Sequence, residues 1–101
     1  MTINAVATDI LMEEGYNSTD ELLRDWSLMV ALTRVEQYRA ECEFFERKYK
    51  MTLIQLEQKA RQVKGQELFE QEEDLEDWEF STQALNWWQT RVEELKYAIN
   101  T

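Results

Sequence analysis

A chain of 101 residues holds one domain and no second, because a polypeptide this short buries only about 60–65% of the surface that its unfolded form exposes. Hydrophobic residues make up 44%, with four each of Trp, Tyr and Phe, which is too rich for a disordered chain, while a net charge of −10 leaves little apolar surface to spare. The absence of His removes the imidazole base, the His metal ligand and the Ser-His or Cys-His nucleophile, and zero Pro with two Gly leave long stretches that nothing interrupts, so the class is all-α.

Residues 3–14 place Ile3, Val6, Ile10 and Leu11 at helical spacing, and Gly15 then offers the left-handed residue that commonly ends a helix. Ser18 and Glu21 fit a capping box, in which the hydroxyl takes the Glu21 amide and the carboxylate reaches back to the Ser18 amide, so a second helix starts at 19. Leu28, Ala31, Val35, Tyr38, Cys42, Phe45 and Tyr49 form its heptad seam, while Leu22, Leu23, Trp26, Met29, Val30 and Leu32 lie off it. The first half of this helix is therefore apolar on every side and requires more than one neighbour.

Lys50-Met51-Thr52 reads as a break: Thr52 and Gln55 repeat the capping box, and Met51 with Leu56 fits the flanking hydrophobic staple. A third helix then runs over 52–64 with Leu53, Leu56, Ala60 and Val63 on its apolar face and Gly65 closing it; one continuous helix from 19 to 64 is the competing reading. Eight acids and no base occupy positions 67–79, and the fourth helix is expected to begin among them near Asp74 and run to 99. Trp78, Leu85, Val92 and Ile99 with Ser81, Trp88 and Leu95 give it a seam, and Phe80, Ala84 and Trp87 give it a second stripe.

One Cys, Cys42, excludes an intramolecular disulfide and reads as a core thiol. With no leader-like segment, and with an apolar run (Trp26 to Leu32) far short of the 18–20 residues that cross a bilayer, the expectation is a cytoplasmic protein with no membrane contact. Net −10 disfavours direct binding of nucleic acid, because phosphate contacts supply most of that affinity. Glu73 and Glu76 match half of a Glu-x-x-Glu magnesium site, but Glu93 is followed three residues on by Lys96 and does not complete it, so no metal, no cofactor and no catalytic residue are expected.

What remains is binding. Residues 47–64 net +5 and residues 67–79 net −8, so the two segments should attract, either pairing through Lys59, Arg61 and Lys64 within a monomer or across a dimer, or with one of them meeting a partner. Glu72, Glu73, Asp74 and Asp77 are the candidates to steer a basic protein, with Phe80 and Trp87 as its anchors. Trp26, Leu28, Val30, Val35 and Trp88 are the candidate oligomer interface, since two long helices with two apolar stripes each outnumber the helices available to cover them.

Two segments resemble known families. Residues 12–26, with Gly15-Tyr16, the Ser18 cap and Glu21-Leu22-Leu23-Arg24, resemble the helix-turn-helix corner of ribbon-helix-helix antitoxin repressors, although Met1 to Glu14 contains neither Lys nor Arg for reading DNA. Residues 44–95, with Phe45-Glu46-Arg47-Lys48-Tyr49-Lys50-Met51-Thr52 and Asp74-Leu75-Glu76-Asp77-Trp78-Glu79-Phe80, are similar to small helical antitoxin-like proteins encoded beside TumE-type RNase-like toxins; Lys50 stands where those proteins usually carry Gly. The resemblance implies a non-catalytic protein that silences a small basic toxin. Together the readings give an all-α long-helix hairpin or bundle completed by homodimerisation, acting as an antitoxin; the alternative is a small acidic adaptor or structural dimer without a toxin.

Overall fold

A computed structural model of the chain describes residues 2–62 and 69–98, and among them the backbone forms four α-helices and no strand. These are α1 (Ile3–Glu13), α2 (Thr19–Tyr49), α3 (Leu53–Gln62) and α4 (Phe69–Tyr97). Val63, Lys64, Gly65, Glu67 and Ile99, all named above from the sequence, lie outside the described residues.

The helix ends follow from local chemistry. Thr2 caps α1 by accepting the Ala5 amide at 3.2 Å. Gly15, at φ 94°, closes α1: its amide donates to the Met12 carbonyl, and the Tyr16 amide donates to the Leu11 carbonyl. That pair of bonds is the Schellman arrangement, which only a left-handed residue allows. Ser18 Oγ accepts the Glu21 amide at 3.1 Å, but the Glu21 carboxylate reaches the amide of Asn17 rather than that of Ser18. The extended backbone at Ser18 presents the earlier amide to it.

The break between α2 and α3 is real, and 19–64 is not one helix. Lys50 takes a left-handed conformation (φ 54°, ψ 38°), and its amide closes the last turn on the Glu46 carbonyl. Thr52 and Gln55 then form a reciprocal capping box, with Gln55 Oε1 accepting the Thr52 amide at 2.9 Å and Thr52 Oγ1 accepting the Gln55 amide at 3.2 Å. The start of α4 departs from expectation, since the helix begins at Phe69 and not near Asp74. Glu70 and Glu72 in its first turn complement the positive end of the helix dipole, so the acids extend the helix instead of delaying it.

α2 and α4 lie antiparallel along their length, with Val35 packed against Val92 near one end and Lys48 paired with Asp74 near the other. Two core clusters join them. At the α3 end, Cys42, Phe45, Leu56 and Trp78 are buried together, supported by Tyr49, Met51, Leu53 and Leu75. Trp78 is 2% exposed and stacks on Phe45 (5.8 Å between centroids) and Tyr49 (6.4 Å). Further along, Ala31, Val35 and Val92 form a smaller core with Leu28, Trp88 and Leu95 around it, and Leu85 touches both clusters. The described residues of both expected seams thus face one another within the molecule.

The α3 end therefore has three helices and the opposite end two. None of α1's eleven described residues is buried, and the whole is a rod of 66 × 27 × 19 Å.

Candidate protein-binding surface

Beside the core at the α3 end, α2 supplies Ala40, Glu41 and Phe44, and α4 supplies Asp77, Phe80 and Ser81, to a groove of about 460 Å³ that Phe45 also lines. Within each helix the three residues span one turn, so they share a face, and the antiparallel register brings the two faces together. Ala40 and Ser81 are small enough to leave the space open between the two aromatic walls. Phe80 is 61% exposed and is held edge-on by Tyr38, with centroids 6.0 Å apart. Phe44, half-exposed, meets Phe45 edge-on at 5.3 Å.

The polar groups are fixed as well. Buried Ser81 donates through Oγ to Glu41 Oε2 at 2.8 Å, which holds that carboxylate at the rim, and Asp77 is exposed on the opposite side. Beneath the groove, Cys42 Sγ lies 3.6 Å from Thr82 Oγ1. Burial pushes the Cys42 thiol above its ordinary value despite the bond to Thr82, as befits a thiol packed in the core. Aromatic walls between two carboxylates suit a cationic side chain with an apolar stem, as in Arg or Lys.

Two turns further along α4, Trp87 is half-exposed, packed edge-on against Trp88 at 4.8 Å, with the Arg91 guanidinium 4.8 Å from its ring centre. Phe80, Ala84 and Trp87 follow helical spacing and form one stripe along α4, of which Phe80 alone lines the groove.

The residues expected from the sequence to bind a partner divide into three groups. Asp77 and Phe80 line the groove, whereas Trp87 lies outside it, against Trp88 and Arg91. Glu72 and Glu73 stand exposed on the first turns of α4. Asp74 is already engaged: its Oδ2 accepts hydrogen bonds from Lys48 Nζ and Tyr49 Oη, each at 2.5 Å, and Lys48 also reaches Glu70 at 3.1 Å. Burial alone would raise the Asp74 carboxyl, but the bonds from Lys48 and Tyr49 outweigh it and hold it below its usual value. The attraction between the basic and acidic segments therefore runs through Lys48; among the described residues Lys59 and Arg61 form no ion pair.

Of the expected oligomer residues, Leu28, Val35 and Trp88 pack inside the second core, whereas Trp26 and Val30 remain exposed. Glu41 and Phe44 were not singled out by the sequence. Phe44 lies off the seam, and the signal that marks it is its adjacency to Phe45, since neighbouring aromatics on a helix point about 100° apart and cannot both enter one core. Among the described residues no three His, Cys, Asp or Glu side chains converge as metal ligands, and no helix is long and apolar enough to cross a membrane. Comparison with known protein families, with curated proteins and with solved structures finds no match for this chain.

Proposed function

We propose that the chain is a non-catalytic antitoxin of the cytoplasm, a helical hairpin completed by homodimerisation, that holds a small basic toxin against the groove between Phe44 and Phe80. The observation that carries this reading is the groove itself, where two exposed aromatic rings stand between the Glu41 and Asp77 carboxylates on a surface of net charge −10. The resemblance of residues 44–95 to antitoxin-like proteins points the same way.

The division of roles follows from screening. Glu72, Glu73 and Asp77 act at the rim, where charge raises the association rate and is screened within about 8–10 Å at physiological salt. Phe80 and Trp87 act as anchors, whose truncation speeds release and costs about 2 kcal/mol, or roughly 30-fold in affinity. Asp74 belongs to neither group, because Lys48 and Tyr49 occupy it.

The test is co-expression with the small basic product of the adjacent reading frame, followed by binding kinetics on the purified pair. The chain should relieve the growth arrest that this product causes. Asp77→Lys should slow association in a salt-dependent way, and Phe80→Ala should speed dissociation with little dependence on salt. No complex with that product, or a complex indifferent to both changes, overturns the antitoxin reading and leaves the adaptor.

A further inference from the structure

We infer that a second copy of this chain covers the two-helix end of the rod, with the apolar stripe of α1 from each copy lying on the back of α2 of the other. This gives the homodimerisation proposed above its surface, and it assigns α1 the role of an exchanged arm.

Two stripes among the described residues have no cover. On α1, Ile3, Val6 and Ile10 are exposed, Ile3 at 86%. On α2, Leu23, Trp26 and Val30 are exposed on the side away from α4, Trp26 at 60%. Both stripes follow the same spacing of three and then four residues, so each is a ridge about 10 Å long at 1.5 Å per residue, and the two match in length and pitch. After the Gly15 turn α1 touches its own α2 only sparingly, and none of its described residues is buried.

Area argues for a copy of the same chain. A compact monomer of 12.2 kDa exposes about 6,100 Å², whereas this one exposes 8083 Å², an excess of roughly 2,000 Å². Its radius of gyration is 20.7 Å against about 13 Å for a compact chain of this length. A stable protein interface takes about 800 Å² from each partner, so the excess, spread over the whole rod, leaves room for one.

Charge argues the same way and against a basic toxin at this end. Thr2 to Met12 contains one charged residue, Asp9, and Leu22 to Val35 contains Arg24 and Arg34 against Asp25. Both segments are nearly neutral in a chain with net charge −10, and their small net charges are of opposite sign. Two copies can therefore approach here without the repulsion that their acidic halves would impose.

Light scattering on the full chain at high micromolar concentration should give twice 12.2 kDa. The double change Trp26→Glu and Val30→Glu should return it to 12.2 kDa with helical circular dichroism intact, because both side chains are exposed in the single copy. Val6→Cys and Trp26→Cys, each made with Cys42→Ala, should form a disulfide between chains when mixed, since these residues are the midpoints of the two ridges and oppose each other in either orientation. A wild-type monomer, or a dimer indifferent to the double change, overturns the proposed surface; a dimer without the cross-link overturns the arm. Binding of the double variant to the basic product of the adjacent frame separates this proposal from the antitoxin reading. Retained binding leaves the groove standing whatever the mass shows, and a wild-type dimer that binds no such product removes only the toxin.

Discussion

Leu56→Ala tests what holds α3 in place. Leu56 is 0% exposed and is the one residue of α3 that is buried, seated against Cys42, Phe45 and Trp78. Truncation removes three carbons, about 2.4 kcal/mol at about 0.8 kcal/mol each, and the cavity left in a packed site brings the cost to about 3–4 kcal/mol. That is a large share of the roughly 5–15 kcal/mol by which a domain of this size is stable. α3 has ten residues, too few to persist in water on helix propensity alone, so losing its anchor should release it before the α2–α4 pair separates. Urea unfolding at one fixed protein concentration gives the total, and native-state hydrogen exchange reads α3 separately. Ile54→Ala, two residues away and largely exposed, is the control and should change stability by no more than about 0.5 kcal/mol. Equal midpoints for the two variants, or α3 amides as protected in Leu56→Ala as in the wild type, refute the reasoning.

Lys50→Gly should stabilise the fold by about 0.5–1 kcal/mol, because a left-handed residue with a Cβ costs about 1–2 kcal/mol and glycine returns part of that gain through its freer unfolded chain. A rise of a few degrees in Tm is expected, and a fall counts against it. The Lys48–Tyr49–Asp74 cluster should fail on the alkaline side. Burial, and then the bond to Asp74, pushes the Tyr49 hydroxyl up to about 12, and bonds to Asp74 and then Glu70 raise Lys48 above its ordinary value. Both folded values exceed the unfolded ones, so the stability they contribute is complete below about pH 10 and is lost as the pH rises towards 12. The lowered Asp74 carboxyl works in the other direction, and its contribution disappears as the pH falls through and below its folded value. Tm measured between about pH 9 and pH 12 should fall more steeply for the wild type than for Asp74→Asn, and parallel curves would contradict the cluster.

Features set by neighbours in sequence were legible in the sequence. Gly15, Ser18 with Glu21, and Thr52 with Gln55 each act within five residues, and each occupies a helix end. The seams of α2 and α4 were legible too, since a stripe such as Ala31, Val35 and Cys42 needs only the helical repeat. The groove was half legible. Phe80 and Asp77 share a face of α4, but their meeting with Phe44 and Glu41 depends on the register between helices some forty residues apart, which neither helix's own spacing contains. The engagement of Asp74 failed to show for the same reason: in sequence it is one acid among eight, and only the end-to-end alignment of α2 with α4 places Lys48 and Tyr49 beside it.

The distribution of large and small side chains along the α2–α4 contact sets the packed core apart from the surfaces proposed for binding. Where α3 adds a third layer, Phe45, Trp78 and Leu56 fill the interior and the acids of α4 find a cation in Lys48. One to two turns along, Ala40 and Ser81 replace large residues, the core narrows to Cys42 and Thr82, and the aromatics that cannot enter it turn outward as Phe44 and Phe80. Beyond Leu85 only two helices remain, and two helices cannot cover an α2 that is apolar on every side, so Trp26 and Val30 are left exposed. Substitutions at the first region should therefore act on folding, those at the second on an acidic protein's basic partner, and those at the third on self-association. A change at Phe80 that lowered Tm as much as one at Leu56 would mean that the three regions are a single cooperative core, and the assignment of the groove to a partner would fall with it.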